Sequence, residues 1–435
     1  MKIIKLLIFP LIMLLTGCAF SSNIDNLMSP PKLSVEQEQI YSALTNATGT
    51  SISLKYPKSG KYLSAFIIED IDSDGENEAV VFYEKNNIAL EENTLRINIL
   101  DRSDGKWRSV CDTPAKGAEI EKVIISELGS NSRTNLIIGS SLINRSEKNV
   151  SIYSYVDGNI EETFSESYSF IDVTDLDKDE ENEFLLLSGA SSGGTATAEV
   201  YKLNEKGIYY KYSCKLSGSF TEFDSLNYGK IDEDKTGLYI DAVLGNGLIQ
   251  TDIIYMDDTG LNKVFSTSEQ SRFTVRPAGC SSFDIDGDGI LEIPVQTIAS
   301  GYENVSESEQ MKFTEWYFWS RNNVLEKKYL SYYNINDGYI FVFPERWENH
   351  VTVKRDSIND EIVFCSYENE TAGRELLRIY FATDQPSIED RISNGYMLLQ
   401  TKGDSAYLAY IPIQNDHDDN LSLTEGDLAI GFNKN

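Results

Sequence analysis

Asp284-Ile-Asp286-Gly-Asp288-Gly289-Ile-Leu-Glu292 sets carboxylates at loop positions one, three, five and nine, with a glycine at six. The pattern returns as Asp70-Ile-Asp72-Ser-Asp74-Gly75-Glu-Asn-Glu78. A third copy, Asp175-Leu-Asp177-Lys-Asp179-Glu180-Glu-Asn-Glu183, keeps the acids but puts Glu180 in the glycine position, so its turn should be strained or differently shaped. Two more copies have lost the ligands: Glu127, Gly129, Asn131 and Asn135 in one, and Lys230, Asp232, Asp234 and Leu238 in the other. These two should keep the fold without an ion. The first positions fall at 70, 127, 175, 230 and 284. A period of about fifty residues is the length of a four-stranded unit in a repeat protein.

The spacing has a chemical reading. A hard dication such as calcium takes six to eight oxygens at about 2.3–2.6 Å, so a loop that binds it must bend several carboxylates around one point, and a glycine permits the sharp turn. The expected ligands are Asp70, Asp72, Asp74 and Glu78; Asp175, Asp177, Asp179 and Glu183; and Asp284, Asp286, Asp288 and Glu292. An isolated acidic loop is usually a solvated turn, but three copies in register argue for ligation. An EF-hand is excluded by the flanks, because it needs helices and a bidentate Glu at position twelve. Position twelve here is Val81, Leu186 or Val295, inside the runs Ala79–Tyr83, Phe184–Leu187 and Ile293–Thr297, which read as buried strands.

On these loops residues 50–330 resemble the FG-GAP or VCBS repeats of integrin-alpha-like β-propellers. The resemblance implies a mainly β fold, a β-propeller of about five blades, with calcium held structurally in hairpin loops on one face.

The N-terminus gives an address. Lys2 and Lys5 precede the apolar run Leu6 to Leu15, which ends in Leu15-Thr-Gly-Cys18. That run is too short for a span of about 20 residues. It resembles a bacterial lipoprotein signal, which implies cleavage before Cys18, lipidation of Cys18, and residence on the extracytoplasmic face of the cell membrane. Residues 1–18 are then signal and lipobox, and 19–50 a polar, proline-bearing tether and a short helix opened by the capping box Ser34-Val-Glu-Gln37. With 38 basic and 69 acidic residues the net charge is −31, which repels nucleic acid and anionic headgroups. The expected partners are the membrane, through the lipid, and a protein or polysaccharide at the cell surface.

From Ile52 the chain runs as short apolar strands, with 51–330 as the repeat domain. After Glu315-Trp-Tyr-Phe-Trp319 the acidic motif disappears. Residues 331–435 are expected to form a separate small α+β domain ending in a helix near Ser422 to Leu428, the alternative being two more blades.

Catalytic signals are thin. Gly189-Ala-Ser191-Ser-Gly193 matches a nucleophile elbow in letters, but it joins two expected strands, whereas the elbow needs a strand, a tight turn and a helix. The two histidines, His350 and His417, read as loop residues, and Cys111, Cys214, Cys280 and Cys365 lack the spacing of a zinc site. The sequence therefore points to a binding or scaffolding module and not an enzyme. The alternative is a cell-envelope hydrolase using carboxylates of the propeller.

Overall fold

The computed structural model describes residues 33–86, 94–143, 146–156, 158–191, 193–232, 235–413 and 420–434. Cys18 and the signal region, Asp234, and His417 lie outside them.

The described chain folds into six antiparallel sheets in sequence order. The first holds β1 (Ile52–Leu54), β2 (Phe66–Glu69), β3 (Glu78–Lys85), β4 (Arg96–Ser103) and β5 (Lys106–Pro114). The second holds β6 (Glu119–Leu128), β7 (Asn131–Ser141), β8 (Lys148–Val156) and β9 (Asn159–Tyr168). The third holds β10 (Phe170–Thr174), β11 (Glu183–Ser188), β12 (Thr197–Leu203) and β13 (Tyr209–Lys215). In the fourth are β14 (Phe223–Lys230), β15 (Thr236–Gly245), β16 (Leu248–Asp257), β17 (Gly260–Lys263) and β18 (Arg276–Pro277). The fifth is β19 (Ile293–Ile298), β20 (Lys312–Trp319), β21 (Leu325–Asn334) and β22 (Tyr339–Val342). The sixth contains β23 (Val351–Asp356), β24 (Glu361–Glu368), β25 (Thr371–Ala382), β26 (Met397–Lys402) and β27 (Ser405–Tyr410). A last strand, β28 (Phe432–Lys434), returns to the fifth sheet beside β22.

Central strands are apolar at consecutive positions because both their faces are covered. In β11, Leu185 and Leu187 share a core with Leu238, Ile240 and Ala242 of the fourth sheet. Phe184 and Leu186 point the other way, onto Ile137, Val150 and Ile152 of the second. In β3, Val80 and Phe82 meet Ile120, Val123 and Leu136. Tyr239 and Ile253 meet Ile293 and Trp319, and Phe313, Tyr332 and Phe341 meet Phe364 and Leu377. Each of the four inner sheets thus shares one core with the sheet before it and one with the sheet after.

Helices cover the two ends of the series. In α1 (Val35–Thr48), Ser34 and Gln37 close the expected capping box, and Ile40 and Leu44 pack against Val81, Tyr83, Leu100 and Trp107 of the first sheet. Val35, in the first turn and beyond that contact, is exposed. After a short α2 (Ser268–Arg272), Ile388 of α3 (Gln385–Ser393) packs on Ala382, Ala406 and Leu408 of the sixth sheet. Among the described residues, no core cluster joins the sixth sheet to the first.

The structure differs from the expected organisation in two places. Six sheets are present where five motif copies suggested about five repeats, because residues 351–410 build a sheet without an acidic loop. The boundary at 330/331 falls inside β21, whose Leu330 and Ser331 both pair with β20. The helix expected near the end is α4 (Glu425–Gly431), capped by Thr424 and Asp427 and lying against β22.

Candidate metal loops

All five motif copies occupy a like place, the connection from a short extended segment into the antiparallel strand that pairs with it. Copy one joins β2 to β3, copy two β6 to β7, copy three β10 to β11 and copy four β14 to β15. Copy five joins Phe283, bridged to Glu292, to β19. The loops also touch across sheets: Gly129 N–H donates to the Asn182 carbonyl, and Lys230 N–H to the Gly289 carbonyl.

The three acidic loops share one hydrogen-bond scheme. The position-one carboxylate accepts backbone N–H groups from inside the turn: Asp70 from Ser73 (2.7 Å) and Gly75 (3.0 Å), Asp284 from Gly287 (2.7 Å) and Gly289 (2.8 Å), Asp175 from Asp179 (3.2 Å) and Glu180 (3.0 Å). The position-nine carboxylate reaches back to the N–H of position two: Glu78 to Ile71 (2.9 Å), Glu183 to Leu176 (2.7 Å), Glu292 to Ile285 (3.0 Å). Position six is left-handed in each, φ being +92° at Gly75, +88° at Gly289 and +71° at Glu180. The third loop therefore keeps the shape and carries the strain that a side chain brings to that region.

This geometry gathers acidic oxygens. Ligand atoms of Asp70, Asp72 and Glu78 lie within 4.8 Å of one another, as do those of Asp284, Asp286 and Glu292, and those of Asp175, Asp177, Asp179 and Glu183. Each is an acidic cluster able to hold a metal ion. Asp74 and Asp288 are not drawn into their clusters, and each instead accepts a backbone N–H, from Glu76 and Ile290 respectively. In the degenerate second copy the amide of Asn135 donates to the Arg133 carbonyl at 2.9 Å, which closes the turn with neutral groups.

Charge separates the three loops. Lys328, on β21, places its Nζ 2.6 Å from Asp286, 2.7 Å from Asp288 and 2.8 Å from Glu292, and the Tyr329 hydroxyl donates to Asp286 at 2.7 Å. Lys202, on β12, donates to Asp177 (2.9 Å) and Asp179 (2.5 Å) and lies 3.0 Å from Glu183 as an ion pair without a directed hydrogen bond. Asp177 Oδ1 is buried and takes no hydrogen bond. Burial opposes charge on both lysines, but the surrounding carboxylates outweigh it and hold their pKa above the usual value. Burial likewise opposes ionisation of Asp286 and Asp179, yet the lysines keep both below the ordinary range. The first loop has no such partner: among the described residues no ion pair reaches its acids. Burial pushes up all three position-nine glutamates: Glu78 to about 7, with repulsion from Asp72, Asp74 and Asp101 added and the bond from Ile71 opposing, Glu183 to about 7 despite the Leu176 N–H and Lys202, and Glu292 above its ordinary range despite Lys328.

Neither lysine was singled out from the sequence. Lys202 had a signal available, since the Phe184↔Tyr201 pairing puts it across from Glu183. Lys328 lies 36 residues beyond Glu292 and had none.

The remaining candidates are placed as follows. Ser191 lies between β11 and β12 with no helix after it, and Ser192 is outside the described residues. The backbone of His350 sits in the turn before β23. Cys111, Cys214, Cys280 and Cys365 are free thiols.

No family model matches the sequence, and no curated protein matches it. Among solved structures the chain is similar to the exotype rhamnogalacturonan lyase YesX at 10% identity and a TM-score of 0.27, over 72% of this chain and 61% of that one. It is similar to the rhamnogalacturonan lyase YesW at 12% identity and a TM-score of 0.24, over 71% and 60%. A rhamnogalacturonan lyase of Bacillus licheniformis follows at 11% identity and 0.26, over 74% and 62%. The chain spans about three fifths of the length of these structures. They correct one expectation: the sequence reading was that the chain is not an enzyme, these three similar structures are lyases, and that reading is withdrawn. TM-scores this low transfer no activity.

Proposed function

We propose that this is a lipid-anchored, extracytoplasmic protein of FG-GAP-type blade repeats, whose stack of sheets is stiffened by calcium and offers a broad, rigid face to a protein or polysaccharide at the cell surface. The observation that carries the calcium reading is the first acidic loop. Asp70, Asp72 and Glu78 converge there around a glycine turn, with Glu78 only 1% exposed and no lysine to neutralise it. Asp70, Asp72, Asp74 and Glu78 would hold the ion, whose charge would offset their mutual repulsion. The serial order of the sheets and the recurrence of the loop at a like place in five of them support the blade reading. The lipid anchor rests on Leu15-Thr-Gly-Cys18; no described helix is long and apolar enough to cross a membrane.

Thermal unfolding with calcium titrated against a chelator tests the first part. A ligand that binds only the native state raises the melting temperature by mass action. The expected result is a calcium-dependent rise that Asp72→Asn abolishes without changing the melting temperature in chelator. A flat response in the parent chain refutes it. Cys18→Ser should abolish lipid labelling and release the protein from membranes; labelling that persists rejects the anchor.

A further inference from the structure

Two of the three acidic loops already contain a cation. The ammonium of Lys328 contacts the carboxylates at positions three, five and nine of its loop, and that of Lys202 contacts the same three positions of the other. Positions three and nine belong to both acidic clusters, and position five to the cluster at 175–183. A lysine ammonium is a compact charge with three N–H donors; Lys202 donates to Asp177 and Asp179 and Lys328 to Asp288 and Glu292, and each meets its third carboxylate as an ion pair.

We propose that Lys202 and Lys328 are tethered cations standing in for the metal, so that the loops at 175–183 and 284–292 stay closed without an ion and only the loop at 70–78 is left to take one. The second half rests on the calcium reading of that loop.

Three observations argue against incidental surface pairing. The position-nine glutamates are both 0% exposed, and a carboxylate so deeply buried needs a counter-charge. The two lysines reach their loops from different places, Lys202 from the strand paired to the one that Glu183 opens and Lys328 from a strand not hydrogen-bonded to β19. The same end is thus met twice by unrelated positions. At the first loop the cross-strand position is acidic. Ala79 pairs with Leu100, which sets Asp101 across from Glu78 as Lys202 is set across from Glu183. That register position carries a cation at the loop of the third sheet and an anion at the loop of the first; at the fifth sheet, where Ile293 pairs with Tyr317, it carries Phe318 and the cation comes from β21 instead. A dication entering either lysine-bearing loop would meet a like charge held among its own ligands.

Equilibrium dialysis of the full chain in detergent with radiolabelled calcium gives the count. The parent chain should bind one ion, Lys202→Met and Lys328→Met two each, and the double variant three. Three ions on the parent, or variants that gain none, overturn the proposal. No ion on the parent with one gained by each variant upholds the lysines and rejects the calcium reading of the first loop. Should a variant fail to fold, acetylation footprinting of the parent chain decides. Lys202 and Lys328 should be equally protected in calcium and in chelator; calcium-dependent labelling of either means that the ion expels the lysine, and overturns the proposal.

Discussion

Glu180, like Ser73 and Lys178 in these loops, holds a left-handed backbone at a conformational cost. It adopts φ +71° where the other two loops use glycine, and a side chain there costs about 1–2 kcal/mol. Glu180→Gly should raise stability by about 1 kcal/mol after the glycine's added unfolded-state freedom is subtracted, read as a higher melting temperature; a lower one would mean that Glu180 makes a compensating contact. At this scale the gathering of the acids at positions one, three and nine was legible, because that spacing is local, whereas Asp74 and Asp288 at position five stay outside their clusters. The cations were not. Lys202 lies 23 and 25 residues from the aspartates it meets, and Lys328 lies 36 and 40 residues from Glu292 and Asp288. Contacts of that range are set by strand register and sheet order, which a loop motif does not encode.

Elements were legible where both faces of a strand are buried, since Phe184 to Leu187 has no polar interruption to confuse with a turn. The C-terminal helix was equally plain from its capping spacing, and it carries a pH prediction. The guanidinium of Arg346 donates to Asp427 at 2.7 Å. That bond, opposed by burial and assisted by the Thr424 N–H and hydroxyl, holds the Asp427 carboxyl down at about 2, against 3.8 when free. Because the folded value lies below the unfolded one, the stabilisation is complete above pH 3.8 and is lost as pH falls through about 2. Asp427→Asn should lower stability at neutral pH and flatten acid unfolding between those two values, as followed by circular dichroism. An unchanged acid limb would show that the pair does not couple to folding.

The whole molecule was the least legible scale. The disappearance of the acidic motif near residue 330 suggested a boundary, yet strand pairing runs across it: β21 continues to Asn334, and β28 adds to β22. Composition changes where a loop motif ends, whereas a sheet ends where hydrogen bonding ends, and here the two do not coincide. A chain stopped after residue 330 should therefore lose β22 and β28 and expose Phe313 and Trp316, giving a soluble yield and melting temperature well below those of the full chain; equal values would restore the boundary. The return of β28 has one further consequence. Residues 343–431, with the sixth sheet, hang as a closed loop between two adjacent strands of the fifth. Pulled from its two ends, this protein would not yield sheet by sheet from the C-terminal side. β28 must first be sheared from the Tyr339–Phe341 edge, so a single strand of three residues acts as the mechanical latch on about the last fifth of the chain.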